Sequence, residues 1–227
     1  MTALAFVARG SGTKARKARQ VPTSRKTPSK ISSSVSILKI VNSIVWGKNM
    51  KEIVNVSKEW GIGKNGDLLI NIPGDMKFFR ETTKDAVVIM GSTTLESFPN
   101  MAPLKNRINI VLIDDDKKIK QASLDAAKAD KEAGKKTKLI YVHSIDEALE
   151  AAKPYPPEDV FVIGGATIYR IMLPYCDTCL VTINDCKDIP DVYYPNLEAS
   201  GEWEMTDEGP DNEWEGVHYR FTTWKRK

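Results

Sequence analysis

The stretch VFVIGGATIYRIMLPYCDT, residues 160–178, sets the architecture. Its first four residues, Val160, Phe161, Val162 and Ile163, are all apolar, the pattern of a strand covered on both faces in a parallel sheet. Gly164 and Gly165 end the run, and a helical pattern follows with Tyr169 one turn in. Two adjacent glycines at the carboxyl end of a parallel strand let a ligand come close to the backbone. The next helix N-terminus, around Ala166, Thr167 and Ile168, can then receive a pyrophosphate. The spacing is not G-x-G-x-x-G, so a Rossmann fingerprint is excluded.

Outward from there, VVIMGSTTLESF at 87–98 repeats the logic. A buried strand ends at Gly91 and opens a helix with Ser92, Thr93 and Thr94, whose free N–H groups and hydroxyls suit a phosphate. Simple N-capping explains these hydroxyls equally well. Two such units in one small domain point to a dinucleotide. Further short β-branched runs predict strands at 52–56, 86–90, 108–113, 139–143, 159–163 and 178–184, with a closing pair at 203–206 and 217–224. Helical patterns cover 74–82, 92–98, 145–152 and 166–173. The expected fold is therefore α/β: a mainly parallel twisted sheet of about eight strands with an antiparallel C-terminal edge, flanked by about four helices. Residues 114–138, dominated by Lys, Asp and Ala, read as a solvated helix or flexible insertion, scaffold rather than site.

Charge divides the chain. Ten of the 33 lysines and arginines lie in the first 50 residues, which hold no Asp or Glu. The remaining 23 stand against all 30 acidic residues, so residues 51–227 carry a net charge of −7 although the whole chain is +3. An acidic body lacks the basic face that phosphate backbones require, so no nucleic-acid partner is expected. Residues 1–49 read as a basic, mostly disordered extension, and residues 50–227 as the functional domain. The apolar residues from Val35 to Trp46 fall short of the roughly 20 that cross a bilayer, so no membrane association is expected. An acid-free head before an amphipathic stretch fits an organellar transit peptide. We favour the plainer reading of a leader that adds nothing to the fold, on a cytoplasmic protein. Cys176, Cys179 and Cys186 cannot complete a disulfide framework, which favours a reducing compartment. Cys176 and Cys179 have zinc-knuckle spacing, but no second pair exists and neither His143 nor His218 stands at ligand spacing, so no metal is expected.

The third informative segment is GIGKNGDLLINIPGDMKFFRETT, residues 61–83. Its glycine-punctuated, polar start suits a mobile loop, and Pro73 followed by Asp75, Met76, Phe78 and Phe79 reads as a helix start. A first-turn carboxylate is commonly a solvated helix-dipole partner. The alternative places Asp75 in a cleft lined by Phe79 and Ile53, where desolvation would make it prefer a cationic or amidine-like ligand.

The order IVNVSKEWGIGKNGDLL (53–69), IPGDMKFFRETT (72–83), VVIMG (87–91), PLKNRINIVL (103–112) and VFVIGGATIY (160–169) resembles dihydrofolate reductase over nearly all of residues 51–227. The resemblance implies reduction of 7,8-dihydrofolate to 5,6,7,8-tetrahydrofolate by hydride transfer from NADPH, in a monomer that also binds antifolates. It implies that Asp75 grips the pterin's amidine edge and supports N5 protonation, with Thr182 hydrogen-bonded to it. Arg107 matches the clamp for the folate glutamate carboxylate, and Ile53, Phe79 and Ser97 match positions around the pterin and benzoyl groups. Asn55, Ile62, Gly63, Asp67, Leu68, Gly91, Ser92, Thr93, Thr94, Ile113, Asp114, Ile163, Gly164, Gly165, Ala166, Thr167, Ile168 and Tyr169 match positions around the cofactor. Gly164 and Gly165 match a cis-linked pair, and Asp191 resembles an acid that ties a distant loop to the one at 61–68.

The chain departs from that pattern in four places. Ser92 stands where an arginine binding the 2′-phosphate is usual, and Ile113 and Asp114 where Ser, Thr or Arg is usual, which leaves NADH as an alternative donor. Ile70 replaces a tryptophan that anchors a water, and Asn55 replaces an alanine and narrows the space for the nicotinamide carboxamide. Two other readings compete: a pyrimidine reductase of riboflavin synthesis, which has no need of Asp75 and Arg107 together, and a non-catalytic folate- or nucleotide-binding relative.

Overall fold

A computed structural model describes residues 49–227. The basic head, with its apolar stretch at 35–46 and the transit-peptide reading attached to it, lies outside the described residues.

The main sheet is built around β1 (Met50–Ser57). On one side β1 pairs in parallel with β8 (Cys176–Asn184), on the other with β7 (Val160–Gly164), followed by β4 (Val87–Gly91), β5 (Ile108–Leu112) and β6 (Lys138–Val142). Beyond β8 the sheet turns antiparallel through β12 (Val217–Arg226) and β10 (Trp203–Glu208). This is the expected parallel sheet with an antiparallel closing edge, and it counts nine strands because β11 (Asn212–Trp214) folds back on β12.

Alternation sorts the side chains into two layers. Val54, Val56, Val87, Ile89, Val162 and Val181 face α4 (Ile145–Ala152) and α5 (Ala166–Met172), joined by Leu149, Tyr169 and Met172. Ile53, Val88, Met90, Val111 and Ile163 face the opposite way, with Leu95 of α2 (Ser92–Ser97) and with Phe78 and Phe79 of α1 (Pro73–Thr82). Each fully buried aliphatic side chain contributes about 1.5–3 kcal/mol, so the two layers dominate the stability. Between β5 and β6 the chain forms α3 (Gln121–Glu132), the helix alternative for the 114–138 segment. Its buried Ser123 donates to the Met101 carbonyl at 2.6 Å.

The glycine-punctuated segment at 61–68 is a hairpin. β2 (Gly61–Lys64) and β3 (Asp67–Leu68) form a small second sheet with β9 (Val192–Tyr193). Asn65 and Gly66 turn the hairpin at φ 54° and 84°, the left-handed pair that a two-residue primed turn demands. Asp191 ties it down as expected, accepting from the Asn65 N–H at 2.8 Å and donating its own N–H to the Gly63 carbonyl at 3.1 Å.

One buried acid belongs to the core rather than to any cleft. Glu52 is fully buried on the α5 face, where its Oε2 accepts from the Tyr194 hydroxyl at 2.6 Å. Among the described residues its Oε1 finds no hydrogen-bond partner. Burial pushes this carboxyl well above the usual glutamate range, with Tyr194 and Arg226 only partly opposing it. A carboxyl whose folded-state value is raised weakens the fold as pH climbs from the ordinary glutamate range toward that value. Glu52→Leu is therefore expected to stabilise the chain at pH 8 by about 1–3 kcal/mol, and by less at pH 5. Thermal melts of both proteins across that range check it, and an equal gain at both pH values would show that the carboxyl does not titrate as described.

Candidate active site

β1 and β7 pair only at Lys51–Phe161 and Glu52–Val162, then diverge. Beyond that point the Ile53 carbonyl accepts from the Tyr169 hydroxyl at 2.7 Å. Burial raises the Tyr169 hydroxyl well above its usual range, helped by the nearby charges of Glu52 and Asp75, so it stays a donor. The carboxyl ends of β1, β4, β5 and β7 share one edge, where ligands gather on open α/β sheets.

Asp75 projects from the first turn of α1 onto the Ile53 side of the sheet. Pro73 starts this helix, and no side chain caps it. A Cβ at Gly74 would collide with the Tyr219 hydroxyl, and Phe78 packs on Phe221 with ring centroids 4.6 Å apart, so α1 lies tight against β12. Register places Asn55 beside Thr182 on β1 and β8, and Phe221 of β12 opposite Thr182. The Asn55 Nδ2 donates to Asp75 Oδ2 at 3.2 Å. Burial raises the Asp75 carboxyl above its usual range, while hydrogen bonds from Thr182 and Asn55 pull it down. Among the described residues no cation pairs with it. The site thus offers an acceptor-only group in a partly apolar wall, with Ile53 buried and Phe79 half-exposed in one cluster.

Arg107 stands at the other end of α1. Its Nε donates to Thr83 Oγ1 at 3.0 Å, Nη1 to the Lys105 carbonyl at 2.8 Å and Nη2 to the Arg80 carbonyl at 2.8 Å. A guanidinium has five N–H groups, so each terminal nitrogen keeps one for a ligand. Burial lowers its proton affinity and Asp85 partly restores it. Ser97 is exposed and its hydroxyl donates to the Thr94 carbonyl at 2.8 Å, so only its lone pairs are open to a ligand.

The two glycine turns abut. A Cβ at Gly165 would lie 3.5 Å from the Thr94 hydroxyl oxygen, and one at Gly91 would lie 3.1 Å from the Ile168 side chain. Gly164 sits at φ 115° with the Tyr169 ring against it, and the Gly164–Gly165 peptide is cis. Neither α2 nor α5 has a side-chain cap, so the N-capping alternative for Ser92, Thr93 and Thr94 is not realised. Thr93 and Thr167 face solvent, whereas Ile163, Ile168 and Tyr169 belong to the core, so those three can meet a ligand mainly through backbone. Ala166 opens α5.

Ile113 is buried, and Asp114 is paired to Lys118 at 2.6 Å, which offsets the negative charge the sequence puts there. Ile62 and Gly63 on β2 and Asp67 and Leu68 on β3 bond within the hairpin and to residues 191–193, and no hydrogen bond among the described residues joins them to the glycine turns. The Asn55 side chain, read from sequence as narrowing the nicotinamide space, hydrogen-bonds Asp75 and Asn184. Asn184 escaped sequence reasoning, although its two-residue spacing from Thr182 puts both on one face of β8.

A family profile described as dihydrofolate reductase matches residues 49–226. The bifunctional dihydrofolate reductase-thymidylate synthase 1 of Arabidopsis thaliana is 35% identical over 188 residues, covering 77% of this chain and 34% of the relative. The dihydrofolate reductase of Enterococcus faecium is 31% identical over 167 residues, covering 73% of this chain and 89% of the relative. The chain thus spans about a third of the plant relative and most of the bacterial one. The solved dihydrofolate reductase from Enterococcus faecalis, complexed with NADP(H) and RAB-propyl, superposes with a TM-score of 0.64 at 26% identity, over 80% of this chain and 98% of that one.

Proposed function

The chain belongs to the dihydrofolate reductase family, and from that premise we propose that residues 50–227 reduce 7,8-dihydrofolate to 5,6,7,8-tetrahydrofolate with NADPH. The observation that carries this reading is the placement of an acid and a clamp at the two ends of one helix. Asp75 lies in the first turn of α1 and Arg107 grips Arg80 and Thr83 at its end. The eight steps along the chain from Asp75 to Thr83 correspond to about 12 Å of helical rise. A ligand lying along α1 with an amidine-like edge at one end and a carboxylate at the other satisfies both, as dihydrofolate does.

The glycine turns suit a dinucleotide. At Gly91 and Gly165 side chains would fill space next to Ile168 and Thr94, so their absence leaves room for a ligand against the backbone. Gly91, Thr94, Gly164, Gly165 and Ala166 would hold the cofactor, which when bound supplies the hydride. Asp75 binds and orients the pterin edge and favours the substrate protonated at N5. Thr182, buried on β8 beside Asn55, helps to favour the charged form of Asp75. Ile53 and Phe79 wall the pterin's flat face and exclude water, and the free N–H groups of Arg107 take the glutamate carboxylate bidentately.

We read the enzyme as a monomer of a reducing compartment, the cytoplasm in the first instance. The free thiols of Cys176, Cys179 and Cys186 support that reading. Among the described residues no helix is long and apolar enough to cross a membrane.

Following NADPH oxidation by the purified chain with dihydrofolate, with and without methotrexate, tests the activity. Oxidation that requires dihydrofolate and stops with methotrexate is the expected result, and methotrexate binding without turnover would instead identify a non-catalytic relative. Ser92 adjoins Gly91 at the head of α2, on the edge proposed to hold the cofactor. Ser92→Arg is therefore expected to raise the ratio of kcat/KM for NADPH over NADH about tenfold, as one added charge-assisted contact to phosphate would. An unchanged ratio would place the 2′-phosphate elsewhere.

A further inference from the structure

Asp75 is a carboxylate on a partly apolar wall with no cation in reach among the described residues, so what keeps it ionised and pointed inward needs an account. The groups on the elements packed around it are few. β1 presents Asn55, β8 presents Thr182, β12 presents the Tyr219 hydroxyl against Gly74, and α5 presents Tyr169, whose hydroxyl is committed to the Ile53 carbonyl. On α1 itself Lys77 and Arg80 face solvent. Glu52 lies on the other face of the sheet. Among the described residues Asn55 is therefore the one side-chain amide donating to the carboxylate, at 3.2 Å.

An amide can present either end, so its orientation must be fixed by something else. Here the chain of fixation is complete. The Asn184 Oδ1 accepts from the Cys186 N–H at 3.0 Å, and its Nδ2 donates to the Val56 carbonyl at 2.9 Å. Two backbone groups, one a donor and one an acceptor, thus forbid a flip of Asn184. The same Nδ2 donates to Asn55 Oδ1 at 2.7 Å, which turns the Asn55 carbonyl toward Asn184 and its Nδ2 toward Asp75. Reversing Asn55 would set two donors face to face at Asn184 and two acceptors face to face at Asp75.

We propose that Asn55 is a positioning residue that holds the Asp75 carboxylate ionised and facing the cleft, and that Asn184 enforces the direction of the Asn55 amide. The proposal rests on the reading of Asp75 as the substrate-facing acid, and it adds the polar support for that acid.

The test follows Asp75 itself. In the full chain labelled with carboxyl-carbon-13 aspartate, the Asp75 resonance is titrated in the parent, N55A and N184A proteins, with no ligand present. Loss of one hydrogen bond to a buried carboxylate is expected to raise its proton affinity about tenfold in N55A. N184A should move it the same way by less, because the freed amide still points correctly part of the time. The parent needs no substitution for a second readout, since the Asn55 side-chain amide nitrogen should titrate with the same midpoint as Asp75. An Asn55 amide that ignores the Asp75 titration, or an N55A curve that overlays the parent's, overturns the proposal, and an N184A curve that overlays the parent's overturns the part assigned to Asn184. With dihydrofolate, the acid limb of the kcat/KM profile should shift upward in N55A. A parent chain without dihydrofolate turnover would refute the reductase reading while leaving the titration result to stand or fall by itself.

Discussion

Asp75→Asn is expected to lower kcat/KM for dihydrofolate at neutral pH by about a thousandfold, within the range for removal of a group that assists proton transfer. The substitution keeps the shape and one acceptor oxygen but removes the charge that favours N5-protonated substrate. Its effect on stability should run the other way. Burial holds the Asp75 carboxyl above its usual range even with Thr182 and Asn55 opposing. Above the ordinary aspartate range, the folded parent therefore bears the cost of an ionised buried group. The neutral amide avoids that cost, so the variant should melt at the same temperature as the parent or higher at pH 7, and the difference should vanish at pH 3. A variant that loses activity and stability together would mean that Asp75 serves the fold, and the role in catalysis would be withdrawn.

Arg107→Lys carries the second large effect. Lysine keeps the charge but cannot make three bonds to Thr83, Lys105 and Arg80 and still present two parallel N–H groups to a carboxylate. KM for dihydrofolate should rise about a hundredfold with kcat nearly unchanged, the mark of binding lost equally from ground and transition states. KM for NADPH should not move. A diaminopyrimidine antifolate without a glutamate tail should inhibit the variant as well as the parent, and equal losses for both ligand types would show that Arg107 acts only by bracing α1.

The sheet was legible because its strands say the same thing at every level. VFVIG and VVIMG are apolar on both faces, end in glycine and run into helices, which admits few arrangements other than parallel strands under helical cover. The small sheet was not anticipated, since its strands are two to four residues long and two of the four residues of β2 are glycine. Its turn was nonetheless written in plain sight, because Asn65-Gly66 is a strong two-residue hairpin signal. Within the candidate site, Asp75 and the glycine turns stand out in the sequence by residue type and order, and Arg107 by the resemblance alone. The direction of the Asn55 amide does not, because it depends on Asn184, 129 residues along the chain, and on the Val56 and Cys186 backbone groups that fix Asn184. The contacts of Arg107 likewise depend on a helix 24 to 27 residues away. Glu52 broke the apolar pattern of β1 without a visible partner, and only the fold supplies Tyr194.

The most direct measurement is the Asp75 carboxyl resonance of the carbon-13-labelled chain on addition of methotrexate. If this carboxylate receives the pterin edge, its signal moves on binding and stays that of an ionised group to a lower pH than in the free protein. Methotrexate that binds while the Asp75 signal and its titration remain unchanged would contradict the account.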